Sequence, residues 1–223
     1  MATYDLEEQE QLDELKTWWK MHGNRVTAVV VALSVAMVGW QGWTWWQKSQ
    51  AAEASALYVA LQQTASQRDA KHSRELAGEL IEKFPRTAYA GMAALLSAKI
   101  QVEGGDVKTG CAHLAWAVEN ANDAAVRDLA RLRLATVLLD EKAYDEAMKA
   151  LSPESSAPFA PRYGELKGDI LAAQGKMAEA RGAYEVALAK LAAAEKADGG
   201  RHGAYREVLQ TKLDGLGSVG GGK

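Results

Sequence analysis

Ser97, Ser152, Ser155 and Ser156 are the hydroxyls to test first as nucleophiles, and none lies in a Gly-x-Ser-x-Gly elbow. The single thiol, Cys111, falls on an apolar helical face with Leu114 and Val118, which suits a small core residue better than a nucleophile. One cysteine also excludes an internal disulfide and any zinc site built on two or more thiolates. His22, His72, His113 and His202 are scattered, with no pair at metal-ligand spacing on a helix. Glu7-Glu8, Asp140-Glu141 and Asp145-Glu146 read as charged helix faces or turns. An acid–base pair needs a pocket that drives two pKa values apart, and nothing in the pattern marks one. Gly217-Ser-Val-Gly-Gly-Gly222 has no strand before it and no helix after it, so it reads as a frayed tail rather than a phosphate cradle. The sequence therefore predicts no catalytic residue, no metal and no cofactor. Its net charge of −3 leaves no basic excess for a nucleic acid backbone.

The chemistry that remains is partition into lipid and recognition of protein. Six of the seven tryptophans, Trp18, Trp19, Trp40, Trp43, Trp45 and Trp46, fall in the first 50 residues. Between them, residues 26–46 carry no charge. As a helix, about 21 residues at about 1.5 Å each match a hydrocarbon core. An indole has an apolar body and an N–H that wants water, so Trp40, Trp43, Trp45 and Trp46 are expected to anchor one end at headgroup level. Gly39 and Gly42 are expected to let another membrane helix approach closely. A buried soluble helix has little use for four tryptophans at one end. A cleaved signal, with Ala54-Ser-Ala56 as its cleavage site, is the better rival, but the apolar run is too long and the segment before it is acidic rather than short and basic.

Lys16, Lys20 and Arg25 precede the span and only Lys48 follows closely, which predicts a cytoplasmic N-terminus and a C-terminal part on the far side. In residues 1–25, Leu12, Leu15 and Trp19 recur at helical spacing, with Gly23-Asn24 as an expected break. Two readings fit that segment: a helix lying on the membrane surface, or a docking helix for a cytoplasmic or membrane partner.

From Ala51 onward the apolar period is helical, interrupted at Gly104-Gly105-Asp106, Asn120 to Asp123, Ser152 to Pro158, Gly175 and Gly199-Gly200. Helices of this length with short connections form antiparallel pairs. An internal repeat runs through them. Tyr144, Ala147 and Leu151 recur 33 residues later as Met177, Ala180 and Tyr184, and 37 residues earlier as Val107, Gly110 and Leu114. In this register the preceding helices carry small residues at Ala98, Ala135 and Gly168, which permit close helix approach, while the Tyr or Met anchors the second helix. The pattern resembles the tetratricopeptide repeat, although Arg131 and Gly164 stand where its first-helix Trp is usual. That resemblance implies an all-α, right-handed stack of helical hairpins over residues 47–215, with 216–223 as a flexible Gly-rich tail. An irregular helical bundle is the alternative. A hairpin stack presents a concave surface from its first helices, here Met92, Leu95, Lys99, Val102, Leu129, Leu132, Thr136, Leu139, Arg162, Glu165 and Asp169. Leu95, Leu132 and Leu139 fit the core equally well. The mixed surface suits an extended or helical protein segment.

Several stretches together carry a more specific resemblance. These are residues 10–24, ending in Trp18-Trp19 and Gly23; Val38-Gly-Trp-Gln-Gly-Trp43; residues 84–99; Leu129 to Ala135; and Lys167 to Lys176. In this order they resemble the YfgM-type ancillary subunits of the SecYEG translocon, best over residues 10–46 and 84–188 and weakly from Leu191 onward. The resemblance implies a non-enzymatic inner-membrane protein of a Gram-negative bacterium, crossing once, with its repeats in the periplasm. It implies partners in SecYEG, in the membrane-anchored chaperone PpiD and in emerging secreted polypeptides. An envelope scaffold or a regulatory adaptor is the alternative role.

Overall fold

The computed structural model describes residues 4–198 and 203–218, with side chains for residues 16–196 and 203–216. The faces of Leu12 and Leu15, the Gly199-Gly200 break and the tail from residue 219 lie outside the described residues or side chains. Among the described residues the chain is all-α: α1 (Tyr4–Ser66), α2 (Ala70–Lys83), α3 (Ala88–Glu103), α4 (Val107–Asn120), α5 (Ala124–Asp140), α6 (Tyr144–Ala150), α7 (Ala160–Ala173), α8 (Met177–Asp198) and α9 (Gly203–Ser218), with a 3₁₀ turn over Ala157–Phe159. The chain divides into two units, residues 1–50 and 51–223.

The described residues of the first unit, from Tyr4 onward, are all helical, and the expected break at Gly23-Asn24 does not occur. A single glycine weakens a helix without ending it. At Gly23 the missing side chain has another use, because a Cβ there would stand 3.1 Å from the Trp19 indole nitrogen.

In the second unit, successive helices pack on their neighbours from α2 to α9. Aspartates start three of them. Asp69, Asp106 and Asp123 accept hydrogen bonds from the backbone N–H of His72 (3.0 Å), Thr109 (3.1 Å) and Ala125 (2.8 Å), satisfying donors that a helix start leaves open. Between α2 and α3 the chain leaves helical geometry at Phe84–Thr87, so α3 begins four residues into the 84–99 stretch that carries the family resemblance. Pro85 is the reason: it lacks the N–H a helix interior needs and disfavours α geometry at Phe84.

Helices α4, α6 and α8 begin at Val107, Tyr144 and Met177, the three residues that the repeat aligns. The small residues aligned with them do the work of close packing. Ala98 and Ala135 are buried, and a Cβ at Gly168 would lie 2.4 Å from the Tyr184 ring. The next aligned set, Leu114, Leu151 and Tyr184, forms the floor of the core. The two aligned anchors differ: Met177 is 39% exposed, while Tyr144 packs on the core beside Leu151. Four apolar clusters follow one another along the chain, each assembled from neighbouring helices. This is the local, sequential burial of a repeat array.

The Tyr184 ring cannot move cheaply, because its hydroxyl donates to Asp169 at 2.7 Å. Gly168→Ala should therefore lose more to overpacking, about 1–3 kcal/mol, than the roughly 1 kcal/mol it gains in helix propensity. Gly182, also helical, has open space where its Cβ would be. Gly182→Ala should raise the melting temperature and Gly168→Ala should lower it, as read by circular dichroism.

Candidate functional site

Residues 26–46 form an apolar helix whose side chains point outward around its whole circumference. Val31, Leu33, Val35, Met37 and Val38 are all exposed. A helix that is apolar all round must be buried in protein or lipid, and no part of this stretch is buried in protein. Among the described residues it is the one helix long and apolar enough to cross a membrane. Two of its hydroxyls are satisfied within the helix, which suits hydrocarbon: Ser34 Oγ donates to Val30 O (2.8 Å) and Thr44 Oγ1 to Gln41 O (2.9 Å). Trp40, Trp43, Trp45 and Trp46 are exposed at its end, with the Trp43 and Trp46 rings 5.4 Å apart. Gly39 and Gly42 meet nothing, so their faces are free for a neighbour. At the other end Lys16, Lys20 and Arg25 are exposed, and the Trp18 ring stacks on His22 at 5.3 Å.

The expected recognition surface divides into two parts. Lys99, Val102 and Thr136 line a groove of about 410 Å³ between α3 and α5. Its floor is apolar, from Ala98, Leu114 and Val137, and Glu103, Arg133 and Asp140 stand at its rim. Lys99 Nζ lies 3.8 Å from Glu103, and Arg133 donates to Leu95 O at 3.3 Å, so the rim carries two positive and two negative groups that balance in sign. Leu95 is buried beneath, while Leu129, Leu132 and Leu139 are half-buried against the core and Met92 is half-buried on α3.

The second part, Arg162, Glu165 and Asp169 on α7, faces α9. Lys212 Nζ donates to Glu165 and to Asp169, each at 2.8 Å. Tyr205 donates its hydroxyl to Glu165 at 2.8 Å, and the Arg162 guanidinium lies 4.0 Å from the centre of the Tyr205 ring. Burial pushes the Glu165 carboxyl up, but the Lys212 and Tyr205 hydrogen bonds outweigh it and hold the group below its usual value. Burial likewise pushes Lys212 down, and the two carboxylates outweigh it and hold the ammonium above its usual value. Spacing along α7 places these three residues on one face. It carries no sign of α9, whose lysine lies 47 residues from Glu165.

Residues 16–218 match the tetratricopeptide repeat-like domain family. The chain is 34% identical over 216 residues to the ancillary SecYEG translocon subunit of Neisseria gonorrhoeae, covering 95% of this chain and 98% of the relative. This chain belongs to the ancillary SecYEG translocon subunit family. The Haemophilus influenzae member is 31% identical over 82% of this chain and 90% of its own length. The Escherichia coli K12 member is 25% identical over 81% and 87%.

The family match begins at the basic flank of the apolar helix and runs through α9, so the groove between α3 and α5 and the α7–α9 cluster both lie within the family domain. Among the described residues no group of three or more His, Cys, Asp or Glu side chains is placed to hold a metal. Burial, followed by the nearby Glu141 charge, pushes the Cys111 thiol up, away from the thiolate a nucleophile needs. Among the described residues, acidic side chains serve in ion pairs at Asp128, Glu165 and Asp169 and as helix caps at Asp69, Asp106 and Asp123.

Proposed function

We propose that this chain is a non-enzymatic accessory subunit of the SecYEG translocon, anchored in the inner membrane by residues 26–46. The full-length similarity to ancillary SecYEG subunits carries this reading. Residues 1–25 lie in the cytoplasm, as Lys16, Lys20 and Arg25 favour. The helices after the span form a tetratricopeptide-like, right-handed hairpin stack in the periplasm. Gly39 and Gly42 give the span a face on which a channel helix packs closely. The groove between α3 and α5 then holds an apolar segment of a polypeptide, either the chaperone PpiD or a secreted chain in transit. Its apolar floor supplies affinity and its rim of balanced charge allows varied sequences. Anchoring beside the channel raises the effective concentration of emerging chain at the groove.

Site-specific photocrosslinking in membranes tests both halves. A crosslinker at Gly39 should yield an adduct with a SecYEG subunit, and one at Thr136 an adduct with PpiD or a secreted polypeptide. A Gly39 probe that labels only lipid would remove the translocon assignment. A silent Thr136 probe would remove the groove.

A further inference from the structure

The face that α9 covers on α7 has a chemistry of its own. Glu165 and Asp169 give it two carboxylates, and the fully buried Leu209 fills the space beside Tyr184, Ala187 and Leu191 of α8. Tyr205, Leu209, Lys212, Leu213 and Leu216 recur at one-face helical spacing, with the lysine and tyrosine aimed at the carboxylates. We propose that this face is a helix-binding site for an amphipathic segment carrying a lysine and a tyrosine among leucines, and that α9 is its displaceable resident.

The balance of contacts separates α9 from the inner helices. Where α3 meets α4, buried Ala94, Leu95 and Ala98 pack on Leu114 and Ala117. Among the described side chains of α9, Leu209 alone is fully buried, and Val208 is 48% exposed. Tyr205, Leu213 and Leu216 pack half-buried beside Leu209, and polar contacts complete the attachment: Lys212 on Glu165 and Asp169, the Tyr205 hydroxyl on Glu165, and Arg206 paired with Glu195 of α8. When such a helix leaves, both charges of each pair regain water, so this polar part of the contact opens at smaller net cost than an apolar one. Glu165 and Asp169 are solvated again when α9 leaves, which removes the main penalty for exposing this face. An incoming helix of the same chemistry finds the same acceptors. Its apparent affinity is reduced by the fraction of time α9 is docked.

This inference does not rest on the translocon assignment, and its test uses the purified full chain in mild detergent. The probe is a fluorescent peptide with the sequence of residues 203–218. It should bind the unaltered chain weakly and bind Lys212→Glu at least about tenfold more tightly, because that change loosens the resident helix and leaves the α7 face intact. Tyr205→Phe should shift binding the same way by a smaller factor, and it serves if Lys212→Glu loses helical circular dichroism. Cysteines at Glu195 and Arg206, joined by a short thiol crosslinker in a Cys111→Ala background, should abolish peptide binding. Adding Asp169→Asn to Tyr205→Phe should weaken it again. Equal binding to the crosslinked and free chains would overturn the proposal, as would no gain in either α9 variant.

Discussion

A chain carrying Leu33→Asp together with Met37→Asp is expected to leave the membrane fraction, whereas Leu33→Ala with Met37→Ala stays. The magnitudes decide this. Residues 26–46 contain seven valines and leucines, each worth about −0.3 to −0.6 kcal/mol of insertion, or about −2 to −4 kcal/mol together. Two aspartates near the middle of the helix add about +5 to +7 kcal/mol, which exceeds the whole apolar contribution. The helix itself survives, since both positions are exposed and neither contributes to the packed core. Carbonate extraction of membranes, with the repeat domain followed by antibody, reads the outcome. Retention of the double aspartate variant in the extracted pellet would mean that residues 26–46 are not what holds the chain there.

That apolar segment was legible because a membrane asks only for local properties: length, absence of charge and an indole belt. The repeat was legible for a similar reason. Val107, Tyr144 and Met177 mark helix starts because each hairpin obeys the same local rule, with a small residue three positions on and a large apolar one seven positions on. The pattern is silent where long-range contacts decide. Spacing put Arg162, Glu165 and Asp169 on one helix face, but only the folded chain brings Lys212 and Tyr205 against them, from 47 and 40 residues beyond Glu165. Gly23 misleads in the opposite direction. Its type signals a helix end, yet it serves ring packing by Trp19 inside a continuous helix.

Asp128 escaped the sequence pattern altogether, and its replacement is expected to cost more than any other single change in the repeats considered above. It sits on α5 at 3% exposure and looks like an ordinary surface carboxylate of an amphipathic helix. In the fold it accepts four hydrogen bonds: from Ser156 N at 2.9 Å, Ser156 Oγ at 2.6 Å, Arg131 at 3.0 Å and Tyr163 OH at 3.1 Å. It thereby ties the segment after α6 to α5, at a place where α6 has only seven residues and touches α7 sparingly. Removing one partner of a buried, charge-assisted network leaves its donors unpaired, so Asp128→Ala should lose about 3–5 kcal/mol. Asp128→Asn, which keeps an acceptor, should lose roughly half of that. The pH dependence has a definite sign. Burial pushes the carboxyl up, but the Ser156, Tyr163 and Arg131 hydrogen bonds outweigh it and hold its pKa below the usual 3.8. A group depressed in the folded state stabilises above its unfolded pKa, and that stability is lost as pH falls through the folded value. The gap between the unaltered chain and Asp128→Ala should therefore be full at pH 7 and narrow below about pH 4. Hydrogen exchange should show the loss concentrated in α7 and α8, with α3 and α4 protected as before, because neighbour-to-neighbour packing makes the ends of such an array open separately. A uniform loss of protection from α2 to α9 would instead show that the repeats unfold as one unit, with Asp128 holding no particular joint.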